Sequence, residues 1–214
     1  MYMVMNTRGD VFNLSPRVYE NELKNYNCGG YALGIYEWWI PYMTPSRIEN
    51  DYNEVYDEAD YYEEWDTSEE VVRARKNFEY WDARYSDLLD GFEYLFRLCF
   101  DREYDESDEW ELADFDSELC LKFCIFILLH SFKWLRRISS FEELKEDEYG
   151  IVFAIGHGDF HFVRYENGIF THKMGGTNIE VVKKWKEAFR SPYGDEVRYD
   201  AGHAFFAAKK EGLR

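Results

Sequence analysis

The sequence predicts an α+β fold in which an antiparallel sheet packs on an N-terminal helix, with a large acidic helical insertion between the two. Three observations lead there. A helix signal opens at Asn27-Cys28-Gly29-Gly30, an apolar strand at 150–156 precedes a hairpin turning at Asn167-Gly168, and the stretch between them carries apolar residues at steps of three and four. At 214 residues the chain has room for one large domain, or one domain with a sizeable insertion. Its 46% hydrophobic and 20% aromatic content sets it apart from charged, aromatic-poor chains that stay disordered.

Taken in order, the first helix has Asn27 as N-cap, Ala32, Ile35, Tyr36 and Trp39 on one face, and Pro41 just past its end. Residues 49–70 then hold 11 acidic residues and no basic one, interleaved with Tyr52, Tyr56, Tyr61, Tyr62 and Trp65, which reads as a solvated face or loop. From Ser68 the pattern turns helical. Thr67 and Glu70 have capping-box spacing, and Phe78, Trp81, Tyr85, Leu88, Phe92, Leu95 and Cys99 predict one long amphipathic helix. A second acidic stretch at 101–118 leads into 119–129, apolar nearly all round and closed by Lys133, Arg136 and Arg137, which predicts a buried helix.

Beyond that come the strand at 150–156 and the hairpin at 160–173. If Asn167-Gly168 is the whole loop, Glu166 faces Ile169, Val163 faces His172 and His161 faces Met174, which puts His161 and His172 diagonally on one face. An odd loop would flip one strand and separate them. Ile179, Val182, Trp185 and Phe189 predict a further helix whose other side is basic through Lys183, Lys184, Lys186 and Arg190, facing the acidic segment of the same chain. A last strand is expected at 202–208.

Charge organises the chain. The net charge is −18, from 43 acidic and 25 basic residues. Residues 49–147 hold 30 acidic and 11 basic residues, a balance of −19, and the remainder comes to +1. This shift divides the chain into a near-neutral unit, 1–48 with 148–214, interrupted by an acidic, mainly helical insertion at 49–147. Such an excess of negative charge repels phosphate backbones and anionic lipid, so direct binding of nucleic acid or membrane is not expected. The longest uncharged apolar run, 123–132, is half of what crosses a bilayer, and the N-terminus lacks the pattern of a signal peptide. A cytoplasmic protein, or one delivered without a classical signal peptide, is the expectation.

Cys28 stands in the first turn of its helix, where backbone N–H groups and the positive dipole end favour a thiolate. His161 and His172 supply one imidazole to take the thiol proton and another to orient the first. The remaining cysteines, Cys99, Cys120 and Cys124, read as reduced thiols, the last two as small core residues one helical turn apart. No metal or cofactor is expected. No second thiol pair closes a zinc site, the acidic stretch from Asp101 lacks the glycine and glutamate of a calcium loop, and Gly156 and Gly158 make His157 a turn residue rather than a ligand beside Asp159 and His161. Asp159 is left to hold His161 or its loop, and His130 and His203 have no assigned role.

These residues resemble the papain-like fold of NlpC-type cysteine peptidases. That family carries an Asp-Cys-Ser-Gly-Phe type motif at a helix start, then a strand, then a hairpin with the base histidine on its first strand and a polar orienting residue on its second. Asn27-Cys28-Gly29-Gly30-Tyr31, the strand from Glu148, His161 and His172 follow that order over roughly residues 20–40 and 144–175. Asn27 stands where the family has an acidic residue and Gly29 where it has serine. The resemblance implies a papain-like (NlpC-type) sheet packed on a nucleophile helix, with Cys28 as nucleophile, His161 as general base, His172 as orienter and the Cys28 backbone N–H in an oxyanion hole. It implies a thiol-dependent peptidase or amidase, or a related acyl transferase or deamidase, working on an amide bond of a peptide or protein substrate. The alternative is a non-catalytic acidic interaction protein, an inhibitor or nucleic-acid mimic, that binds a basic protein partner through the acidic insertion.

Overall fold

The computed structural model describes residues 2–5, 11–14, 26–35, 38–42, 44–62, 67–113, 117–175, 178–189 and 199–210. Tyr36, Trp65 and Arg190, named above, lie outside them. The fold is α+β. A six-stranded antiparallel sheet has the order β4-β9-β5-β6-β7-β8, from β4 (Leu135–Ile138), β5 (Glu148–Gly156), β6 (Asp159–Glu166), β7 (Ile169–Lys173), β8 (Ile179–Val182) and β9 (Gly202–Lys209). A small second sheet joins β1 (Tyr2–Met5), β2 (Val11–Leu14) and β3 (Trp38–Trp39).

Every residue of β5 is buried because β9 and β6 flank it and both of its faces are covered. On one face Ile151, Phe153, Ile155, Phe162, Ala204 and Phe206 pack with α1 (Cys28–Leu33) and α6 (Glu118–Ser131). On the other, Val152, Ala154 and Val163 meet Ala188, Phe189 and Tyr199, the first two from a 3₁₀ turn at Trp185–Phe189. The α6 helix is buried as its composition demands, with Ser117 capping its N-terminus. Cys120 and Cys124 are core residues with sulfurs 4.0 Å apart.

The hairpin turns on Asn167-Gly168, both at positive φ (53° and 81°), which Asn and Gly tolerate. Its register pairs Glu166 with Ile169 and Val163 with His172, as expected. The ladder ends there, since β7 stops at Lys173, and Met174 is not paired with His161. His157-Gly158 forms a similar turn between β5 and β6.

Three expectations are corrected. The first helix ends at Leu33 because Gly34 takes the left-handed conformation (φ 71°) and its N–H closes on the Gly30 and Tyr31 carbonyls, so Trp39 belongs to a strand. The long amphipathic helix is two, α3 (Glu69–Asp82) and α4 (Tyr85–Phe100), with Ser68 as the first cap. At the break the Arg84 guanidinium lies over the Tyr80 ring and takes the Tyr80 carbonyl (2.8 Å), while the Arg84 N–H tightens onto Trp81. Third, the segment from Ile179 is strand β8 followed by the 3₁₀ turn; its Ile-Glu-Val-Val run suits the open edge of β7. Among the described residues no ion pair joins Lys183, Lys184 or Lys186 to the acidic segment.

Within 49–147, β4 hydrogen-bonds to β9, and α6 shares one core with α1, so the sheet layer draws on this segment too. The acidic run at 49–60 belongs to a helix, α2 (Pro45–Asp60), capped by Thr44, that buries Ile48 and Val55. These two, Trp81 and Leu88 make a small core of their own. A short helix, α5 (Asp108–Ala113), follows α4.

Candidate active site

Asn27 builds the N-terminal end of α1, where Cys28 stands. Its Oδ1 accepts from the Gly30 N–H (3.1 Å) and the Trp39 N–H (3.1 Å), and its Nδ2 donates to the Trp39 carbonyl (2.6 Å). The cap therefore also fixes α1 to β3. On the sheet side, the Tyr31 hydroxyl donates to Thr171 Oγ1 (2.8 Å), tying α1 to β7. Cys28 is buried with its sulfur 4.0 Å from the carbonyl oxygen of Phe160, the residue before His161. Burial pushes the thiol up to about 12, and Asp159 adds to this; the Phe162 backbone and the first N–H groups of α1 act the other way.

His161 and His172 come together as the register requires. His161 Nε2 lies 3.1 Å from His172 Nδ1, and both rings are buried. Alternation along β6 sets the division of labour: Phe160 and Phe162 pack with the core that holds Cys28, while His161 stands with Val163 on the face of Phe189 and Tyr199. The thiol rests beside the backbone flanking His161, and its hydrogen bond goes to Phe160, whereas that of His161 goes to His172.

Burial, followed by the neighbouring His172, drives His161 down to about 3. His172 is lowered by burial, against the pull of Glu180, whose Oε2 lies 3.8 Å from His172 Nε2. A carboxylate on that side favours a proton on His172 Nε2. Its Nδ1 then accepts from His161 Nε2–H, and His161 Nδ1 is left as the basic atom.

Sequence reasoning missed four contributors. Glu180 pairs with His172 across β7 and β8, a relation that reading residues 179–182 as a strand would have exposed. Tyr199 stacks on His161 (5.2 Å between centroids) and donates its hydroxyl to Asp159 Oδ2 (3.1 Å), so Asp159 holds His161 through that ring. Nothing local in the sequence announces Tyr199, and the apolar spacing that marks Phe189 for burial does not tie it to His161. Lys173, buried on the α1 side of β7, is the fourth. His157 sits exposed at its turn, 3.7 Å from Asp200; His130 lies against Phe126 and His203 against Trp185.

Among the described residues no group of three or more His, Cys, Asp or Glu side chains is arranged to hold a metal ion, and no helix is long and apolar enough to cross a membrane. No protein-family model, curated protein or solved structure matches this chain.

Proposed function

We propose that this chain is a papain-like, NlpC-type thiol hydrolase or acyl transferase acting on an amide bond of a peptide or protein. The observation that carries the reading is the 3.1 Å pair of His161 and His172, with His161 on the strand whose backbone abuts the Cys28 thiol and His172 on the next strand. One imidazole serves as base and the other orients it.

With a substrate carbonyl at the sulfur, His161 Nδ1 accepts the thiol proton while the sulfur lone pair closes on the carbonyl carbon and the C=O π pair moves onto oxygen. Collapse of that oxyanion breaks the C–N bond, and the leaving nitrogen takes the proton from His161. Water, giving a proton to His161, then displaces sulfur from the thioester, and the thiolate recovers that proton. An amine in place of water gives transfer; a side-chain carboxamide as substrate gives deamidation. Before substrate binds the proton stays on sulfur, because burial disfavours both the thiolate and the imidazolium.

The test is site-resolved alkylation by iodoacetamide near neutral pH, read by mass spectrometry. Cys28 should react in preference to Cys120 and Cys124, and His161→Ala should abolish the preference. Equal sluggishness of the three thiols refutes the reading. A second reading, a non-catalytic acidic protein that holds a basic partner, is favoured by Tyr61 and Trp110, which are 83% and 76% exposed within the acidic helical segment. It expects salt-sensitive binding to a lysine-rich test protein that weakens in Trp110→Ala; unchanged binding in that variant removes it.

A further inference from the structure

Among the described residues Lys173 is the one buried lysine, at 1% exposure. It follows His172 in β7, so its side chain takes the opposite face of the strand, shared with Thr171, whose Oγ1 accepts from Tyr31 of α1. Its Nζ donates to the Gly175 carbonyl (2.6 Å) and lies 4.9 Å from the ring centre of Tyr26, two residues before Cys28. An ammonium carries three donors, and the Gly175 carbonyl occupies one. A cation is thus enclosed on the α1 side of the sheet, on the face of β7 opposite His172. Burial lowers the ammonium pKa, and negative charge on the Cys28 sulfur acts to raise it.

We propose that Lys173 is the buried counter-cation of the Cys28 sulfur: it offsets the negative charge that forms when the thiol proton leaves for His161, and keeps its own protons throughout. The proposal rests on the reading of Cys28 as nucleophile. It answers a need of that reading, since burial and Asp159 both oppose a thiolate and the charge on His161 is itself disfavoured. On the α1 side the other titratable groups near Lys173 among the described residues are Cys28, Tyr26 and Tyr31; Asp159, bonded to Tyr199 on the His161 face of β6, acts on Cys28. His172 and Glu180 stand on the far face of β7 and β8. Of these, none on the Cys28 side carries positive charge.

The experiment is the pH profile of iodoacetamide alkylation at Cys28, resolved by mass spectrometry, in the wild type, Lys173→Met, Lys173→Arg and His161→Ala. Lys173→Met should move the profile to higher pH by about one unit, hence about tenfold slower reaction at a fixed pH below the midpoint, and Lys173→Arg should restore it. A Lys173→Met profile that superimposes on the wild type, or moves to lower pH, overturns the proposal. If Lys173→Met shifts the profile while His161→Ala leaves it unchanged, the counter-cation stands and the role of His161 as base falls. Should Lys173→Met fail to fold, the reciprocal measurement decides: the NMR titration midpoint of Lys173 should fall in Cys28→Ala, and an unchanged midpoint overturns the proposal.

Discussion

Acidification from about pH 7 to about pH 5 should cost the protein about 2 kcal/mol through His161 alone. The side chain is fully enclosed, and burial with His172 holds its pKa at about 3 against an ordinary 6.5. Because the folded value lies below the unfolded one, the unfolded chain takes up the proton first. Stability present above pH 6.5 is then lost progressively as the pH falls toward 3. At about pH 5 the unfolded imidazole is almost wholly protonated and the folded one almost wholly neutral, and about 1.5 units at ~1.4 kcal/mol each gives the figure. The perturbation that isolates it is His161→Gln, which keeps a polar partner for His172 and removes the titration. His172, His130 and His203 are also held below their ordinary values by burial, but they are present in both proteins and largely cancel in the difference. Urea unfolding followed by tryptophan fluorescence at the two pH values reads it: the wild type should lose about 2 kcal/mol more than His161→Gln. Equal losses would mean that His161 is protonated in the folded protein, and the account of a closed, neutral site would fall.

Asn27→Ala removes the α1 cap and both bonds to Trp39 at once; thermal unfolding should show a loss of about 2–4 kcal/mol, and Cys28 should become more readily alkylated as α1 loosens. Glu148, whose side chain is 2% exposed, accepts two bonds from Arg136 and one from the Lys145 N–H, which hold its pKa at about 2. Its contribution is present above pH 4.5 and lost as the pH falls toward 2. Allowing for the exposed side of Arg136, Glu148→Gln should cost about 2 kcal/mol at neutral pH and nothing in strong acid, by denaturant unfolding. Glu180→Gln should lower the NMR titration midpoint of His172; an unmoved midpoint would detach Glu180 from the histidine pair.

Much of the site was legible because its determinants are local. Two residues of turn chemistry, Asn167-Gly168, set the hairpin register, and the register alone brought His161 and His172 within reach. Asn27 announced its own capping role. What was illegible depends on tertiary partners. Gly34 ended α1 by adopting a left-handed conformation that the apolar spacing beyond it concealed. The open edge of β7 recruited residues 179–182 as a strand although their spacing also suits a helix. Arg84 broke a continuous periodic stretch through one carbonyl and one ring, a competition invisible to hydrophobic pattern. Tyr199 reaches the site from a position with no periodic signal at all.

The placement of charge joins these features. The α4 helix buries Leu88 in the core of the acidic segment and Phe92, Leu95 and Phe96 in the core shared by α1, α6 and the sheet, so the acidic segment is packed onto the candidate catalytic layer through this helix. A chain with net charge −18 that encloses its thiol among apolar rings sets both the long-range field and the local dielectric against a thiolate. Salt weakens the first of these but leaves the second nearly untouched. Any compensation must therefore lie within the enclosure, close to sulfur. His161 cannot supply it in the resting state, because the same burial keeps its ring neutral. Lys173 faces the α1 side, retains an acceptor at Gly175 and stays out of solvent, which leaves it as the cation that the described residues place there. Raising the salt concentration should accordingly change Cys28 alkylation little, while neutralising Lys173 changes it strongly; the reverse order would assign control of the thiol to the acidic segment instead.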